Sequence, residues 1–268
     1  SIKHRPLSPI CEALDEMNIF YEIPSSKEEI ITIQGQEIRN ELNINLMGKF
    51  SQVVSGLLIS IPFFHKKTHI VLKTCGEAPY IKMTLQHLKN RNININVSET
   101  FTEYLCEGIQ SIDGFSCNVP ADWSSATFLA LASIASSSPI SISNLPLDEC
   151  QADSKLLQYL SIFGCPYTFK NDILTITHTS PCMKAAIFNL ANTPDALPAL
   201  SCIASLANGK TIFEEIDICR YKECNRVKAM STELGKLGIH VVERRNSLEI
   251  TGNNKLKSNI SLHSYKDH

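Results

Sequence analysis

Between Arg220 and Arg226 the chain reads RYKECNR, three cations and one carboxylate within seven positions. The residues that follow, VKAMSTELGKLG, repeat Val227, Met230, Leu234 and Leu237 at helical spacing and close on Gly238. Arg220, Lys222 and Arg226 therefore crowd a predicted helix N-terminus. That end already carries roughly half a positive charge, so each base there costs a few tenths of a kcal/mol. Two readings account for them. One is a solvated basic turn; the other is a set of groups facing an anion, which a helix N-terminus also attracts. Glu223 stands among these cations. Further upstream, TPDALP places Asp195 at another helix start. Thr193 is able to cap that helix and Pro194 fixes the turn, which leaves Asp195 to act as a base or to orient a hydroxyl group. Asp122, Ser124 and Ser125 in ADWSS read as N-cap residues, worth about 1 kcal/mol each. In GKFSQ, Ser51 and Gln52 open a third helix.

The elements that must position these residues repeat along the chain. Four segments share one order of amphipathic helix, short turn and extended stretch: LSPICEALDEMNIFYEI, PYIKMTLQHLKNRNININV, SKLLQYLSIFGCPYTF and VKAMSTELGKLGIHVVE. Three others, FSQVVSGLLISIPFF, SSATFLALASIASSS and PDALPALSCIASLANG, are small and apolar nearly all round and are expected to be buried. Their starts near Gly48, Ala121 and Pro194 are about 72 to 74 residues apart, a repeat of supersecondary size. The unit is buried helix, strand, exposed helix, strand, then a turn into another strand such as LTITHT or LEITG. This pattern predicts an α/β fold with parallel strand pairing. GFSCNVPADW, with Gly, Pro and the single Trp, marks a lobe boundary, giving lobes at 1–119 and 120–268.

At 268 residues, 43% hydrophobic and 19% charged, the chain has a soluble globular composition. A net charge of -2 gives no bulk attraction to nucleic acid or to membrane surfaces. The ten cysteines include no CxxC and no zinc-type spacing with His, so they read as reduced intracellular thiols. VVSGLLISIPFF, the longest apolar run, is too short to span a bilayer, and SIKHRPLSPI is no signal peptide. The start at Ser1 and the stop at SYKDH both read as cuts.

TPDALPAL followed by RYKECNRVKAMSTELGKLG resembles the second half of the 5-enolpyruvylshikimate-3-phosphate (EPSP) synthase family. GKFSQVVSGLL, PYIKMTL, VPADWSSATFLA and the terminal DH resemble the same family in the same order. The resemblance implies a two-lobed fold of helix-and-strand units with buried helices inside, here with both lobes incomplete. It implies transfer of the enolpyruvyl group of phosphoenolpyruvate to the 5-hydroxyl of shikimate 3-phosphate, releasing phosphate, in the shikimate pathway to chorismate and the aromatic amino acids. It implies no metal and no organic cofactor, no nucleic-acid or membrane partner, and a cytoplasmic monomer. Carried over residue by residue, Asp195 takes the shikimate-hydroxyl role and Glu223 shuttles the proton at the methylene carbon. Lys222 touches the sugar phosphate, and Arg226 holds phosphoenolpyruvate with its planar fork. Ser51, Gln52 and Tyr80 bind shikimate 3-phosphate, and His268 joins the substrate-binding set.

The sequence also departs from the family. Phe50 stands where a second serine is usual, Glu77 where a phosphate-binding serine is usual, Ile218 replaces an asparagine and Asn225 an acid. Glu77 is expected to face solvent or to pair with a cation such as Lys49, since a carboxylate beside a phosphate is repulsive. The family's N-terminal Lys-Ser segment, its Gly-Asn-Ala-Gly-Thr loop, the Arg after His268 and a later Lys are not in this sequence, so the 268 residues alone are expected to be inactive. Two alternatives stay open on sequence: the related transferase acting on a UDP-amino sugar (UDP-N-acetylglucosamine), and a non-catalytic remnant.

Overall fold

The fold follows the repeat. In the computed structural model the described residues are 6–23, 31–147, 151–177, 183–252 and 255–267. They divide into two compact units, one formed by Pro6–Cys117 and the other beginning at Asn118.

The first unit opens with α1 (Ser8–Glu16) and a short antiparallel pair, β1 (Tyr21–Glu22) with β2 (Thr32–Ile33). There follow β3 (Leu42–Leu46), α2 (Ser51–Ser60), β4 (Thr68–Leu72), α3 (Ala78–Lys89), β5 (Asn96–Val97) and β6 (Glu103–Cys106). The second unit contains α4 (Trp123–Ser136), β7 (Ile140–Ile142), α5 (Leu156–Phe163), β8 (Tyr167–Lys170) and β9 (Ile173–Ile176). It continues with β10 (Ile187–Asn189), α6 (Leu197–Ser205), β11 (Lys210–Glu214), α7 (Arg226–Lys236), β12 (His240–Glu243) and β13 (Ser247–Thr251). The sequence expectation of helix, strand, helix and then two strands is met three times: α2-β4-α3-β5-β6, α4-β7-α5-β8-β9 and α6-β11-α7-β12-β13.

Strand pairing differs from the parallel sheets expected. The sheets are mixed, with orders β3-β4-β6-β5 and β10-β11-β13-β12, and β7-β9-β8 is antiparallel throughout. Among the described strands only β3 with β4 and β10 with β11 pair in parallel. The reason is geometric. Helices α3 and α7 carry the chain back to run in the direction it left, as a helical crossover must. The hairpin strand that follows then slots between the two strands of like direction.

The cores are built by alternation along these strands. Ile44, Ile70 and Tyr104 point inward onto Leu58 and Ile81 in the first unit. In the second, the rings of Phe163, Phe188 and Phe213 stack at 4.6 and 5.5 Å, an offset arrangement favoured by ring quadrupoles. Of the three helices expected to be buried, only α6 is covered along most of its length. It lies between α4 and α7 with β11 and β13 against it. α2 leaves Gln52 and Ile59 exposed, and α4 leaves Phe128 and Leu129 exposed. Apolar character all round a helix says that it tolerates burial; its neighbours decide how much it receives. Among the described residues no helix is long and apolar enough to cross a membrane.

Candidate functional site

Two groups of polar side chains gather, each within its own unit. In the unit beginning at Asn118 the sequence explains how. Pro194 opens a short 3-10 turn, Pro194–Ala196, that runs directly into α6 and puts Asp195 at its start. Thr193 makes no side-chain cap, contrary to expectation; its hydroxyl pairs with the Tyr159 hydroxyl at 2.7 Å in the core. The Cys219 thiol reaches the Pro194 carbonyl at 3.3 Å, tying this turn to the Asp217–Tyr221 turn. Asn225 caps α7, its side-chain oxygen accepting from the Lys228 amide at 3.0 Å. Arg226 is then the first residue of α7.

Arg226 is the hub, with 7% of its surface exposed. Its Nε donates to Asp267 Oδ2 at 2.7 Å and its Nη2 to Asp267 Oδ1 at 2.9 Å, a two-pronged fork. Nη2 also donates to Glu223 Oε2 at 2.9 Å, and Nη1 donates to Asp195 Oδ1. Lys222 Nζ lies 3.6 Å from the same Asp195 oxygen. Burial alone would lower the Arg226 pKa, but the Asp267 hydrogen bonds and the Asp195 charge outweigh it and raise the net value, so the guanidinium stays charged. The Cys224 thiol, 3.4 Å from Asp267 Oδ2, is pushed up to about 11 by burial first and by Asp267 second.

The basic cluster thus resolves into two kinds of cation. Lys222 and Arg226 join the carboxylates. Arg220 does not: it donates to Glu243 Oε1 at 2.6 Å and to the carbonyls of Arg244 and Arg245, bracing the β12–β13 turn. For Arg220, the expectation of a group facing an anionic ligand is replaced by a structural role. Ile218 packs on the apolar core.

In the Pro6–Cys117 unit, Ser51 is the buried first residue of α2, Gln52 beside it is exposed, and Tyr80 is half-buried in the first turn of α3. Of the two arrangements expected for Glu77, facing solvent or pairing with a cation, it does not take the first. It is 8% exposed, and its Oε2 accepts from Ser51 Oγ at 3.0 Å and from the Ser51 amide at 3.4 Å. Lys49 Nζ sits 5.9 Å from the centre of the Phe50 ring.

The structure therefore places Asp195, Lys222, Glu223 and Arg226 in one cluster, and Ser51 in another with Glu77; His268 lies outside the described residues. Asp267 was missed by sequence reasoning as a functional candidate. Its signal was present in the terminal DH, but a partner 41 positions from Arg226 leaves no periodic trace. Asp122 behaves as read, accepting from the Ser124 and Ser125 amides at 3.0 Å each.

Comparison with known proteins bears on what these clusters do. The family model of EPSP synthase (3-phosphoshikimate 1-carboxyvinyltransferase) matches residues 1–268. The 3-phosphoshikimate 1-carboxyvinyltransferase of Clostridium beijerinckii is 32% identical, over 98% of this chain and 60% of that protein. That of Methanococcus maripaludis strain C5 is 28% identical over 100% of the chain and 63% of the relative. Among solved structures, EPSP synthase from Acinetobacter baumannii superposes with a TM-score of 0.69 at 19% identity, covering 95% of this chain and 58% of the other. The enolpyruvyl transferase NikO from Streptomyces tendae gives 0.68 at 14% identity, covering 93% and 59%. The chain spans about 60% of the length of the curated relatives it matches.

Proposed function

Because the chain belongs to the EPSP synthase family, we propose that it carries much of the machinery for moving the enolpyruvyl group of phosphoenolpyruvate to the 5-hydroxyl of shikimate 3-phosphate. The observation that carries the reading is the cluster on Arg226. One buried guanidinium fork holds an acid at Glu223 and a base at Asp195, each within hydrogen-bonding reach of Arg226. An enolpyruvyl transfer calls for these three kinds of group.

The steps follow from the chemistry. Asp195 orients the acceptor hydroxyl and takes its proton as the oxygen attacks C2 of phosphoenolpyruvate. Glu223 supplies a proton to the methylene carbon, giving a tetrahedral adduct, and recovers a proton from the resulting methyl group as the C–O bond to phosphate breaks. Opposite duties for two carboxylates require different surroundings; here Glu223 has 7% and Asp195 28% of its side chain exposed. Arg226 takes a carboxylate or phosphate of phosphoenolpyruvate in the fork that Asp267 fills in this structure, and Lys222 reaches the sugar phosphate substrate. Ser51, Gln52 and Tyr80 bind the acceptor, and His268 completes the substrate-binding set. In this reading the protein is a cytoplasmic monomer, and the division into lobes falls at 119/120. Residues 1–268 by themselves give no turnover, since further cations and the glycine-rich segment of the family are not among them.

The test is a chimera in which residues 1–268 replace the matched segment of the Clostridium beijerinckii relative. It should release phosphate from phosphoenolpyruvate only when shikimate 3-phosphate is present. A folded chimera that releases phosphate equally without acceptor, or none with it, contradicts the proposal.

A further inference from the structure

Glu77 is held in place by its backbone. Beyond the paired residues of β3 and β4 the ladder continues: Lys73 donates to the Leu46 carbonyl at 2.8 Å, Thr74 to Met47 at 3.1 Å and Gly76 to Gly48 at 2.9 Å. The two segments press so closely that a Cβ on Gly76 would stand 2.2 Å from the Lys49 carbonyl oxygen. Glu77 follows directly, with φ +51 and ψ +43, a left-handed conformation uncommon outside glycine and asparagine. An acid at this N-cap position would normally turn onto its own helix and accept from the second or third amide. Neither is on offer. Pro79 has no N–H, and the Tyr80 amide donates to the Glu77 main-chain carbonyl at 3.0 Å. The side chain makes no cap bond and turns instead onto Ser51, where it takes both the hydroxyl and the first amide of α2.

A non-glycine residue kept in a left-handed conformation, buried, with its carboxylate on two donors, is over-determined by its surroundings. Those donors are what an acceptor's phosphate needs: a serine hydroxyl and an amide at a helix N-terminus. We propose that Glu77 determines acceptor specificity by standing as a resident competitor for the acceptor's phosphate. This rests on the transferase reading above. To seat there, the phosphate must take the Ser51 hydroxyl and amide from Glu77 and accept a carboxylate as its neighbour. The consequence is weak discrimination between shikimate 3-phosphate and shikimate, which has no phosphate to lose.

The test measures affinity of the full 268-residue chain for shikimate 3-phosphate, shikimate and inorganic phosphate by calorimetric titration. The chain is compared with Glu77→Ser and with Glu77→Gly, which suits the left-handed backbone and keeps the test open should serine unfold that turn. With Glu77 removed, the ratio of shikimate 3-phosphate to shikimate affinity should rise at least thirtyfold. A ratio within threefold of the original in both folded variants overturns the assignment. The phosphate titration separates this proposal from the transferase reading. Phosphate affinity that rises in the variants, with neither acceptor bound, keeps Glu77 as the anion competitor and removes the shikimate acceptor from the reading. Phosphate and ratio both unchanged, beside acceptor-dependent phosphate release by the chimera, removes the Glu77 proposal alone.

Discussion

The two units hold their carboxylates in different ways. Around Arg226, three acids share a buried cation, and one of them, Asp267, uses the two-pronged geometry that a substrate carboxylate would use. Around Ser51, the Glu77 carboxylate accepts from a hydroxyl and from the first amide of a helix. In the first arrangement an incoming anion would replace one carboxylate with another on the same fork, with the guanidinium still charged. In the second, an incoming phosphate must take donors from a carboxylate that remains tethered close by. On the proposed reading, the acid on the Arg226 fork is exchangeable and the acid on Ser51 is obstructive.

The largest expected effect breaks the first arrangement. Arg226→Ala leaves Asp195, Glu223 and Asp267 facing one another with their shared guanidinium gone, and removing one partner of a buried pair costs about 3–5 kcal/mol. Ser51→Ala removes one donor to the Glu77 carboxylate while the amide stays, and should cost less, about 1.5–3 kcal/mol. Urea unfolding of both variants measures the contrast; equal losses would mean that Arg226 is not the keystone of its cluster.

Next in size is a change in chemistry without loss of the fork. Glu223→Gln in the chimera should lower kcat by about 100-fold or more while KM for either substrate moves much less, because proton transfer acts only during the reaction. Near-normal kcat would remove Glu223 from the acid role. A smaller effect sharpens the local part of the account. Asn225→Ala deletes the cap that starts α7 at Arg226 and should cost about 1 kcal/mol in thermal or urea unfolding. Asn225→Asp should restore it.

Which of these features could be read in the sequence follows from their range. The Glu223 and Arg226 pair is three residues apart at one helix start, and such spacing places two side chains together whatever the rest of the chain does. Asp122 and the helix α7 were legible for the same reason. Asp267 was not, because its approach to Arg226 depends on the loop that follows β13. The direction of Glu77 was not, because it depends on three things at once: the ladder from β3 and β4, a proline that removes an amide, and a tyrosine amide already engaged. The insertion of β6 and β13 between strands of like direction also escapes periodicity, which reports the face of a strand and not its neighbour. Arg220 shows the limit of composition. It shares the RYKECNR motif with Arg226, yet the β12–β13 turn claims it.

That last contrast supplies the most direct test of the central claim, that Arg226 is the exchangeable anion seat. The measurement is KM for phosphoenolpyruvate in the chimera carrying Arg226→Lys or Arg220→Lys. Both changes keep the charge and lose the planar fork. The account predicts a rise of about tenfold or more, roughly 1.4 kcal/mol, for Arg226→Lys, and less than about threefold, roughly 0.7 kcal/mol, for Arg220→Lys. Equal rises, or a larger rise for Arg220→Lys, would contradict it.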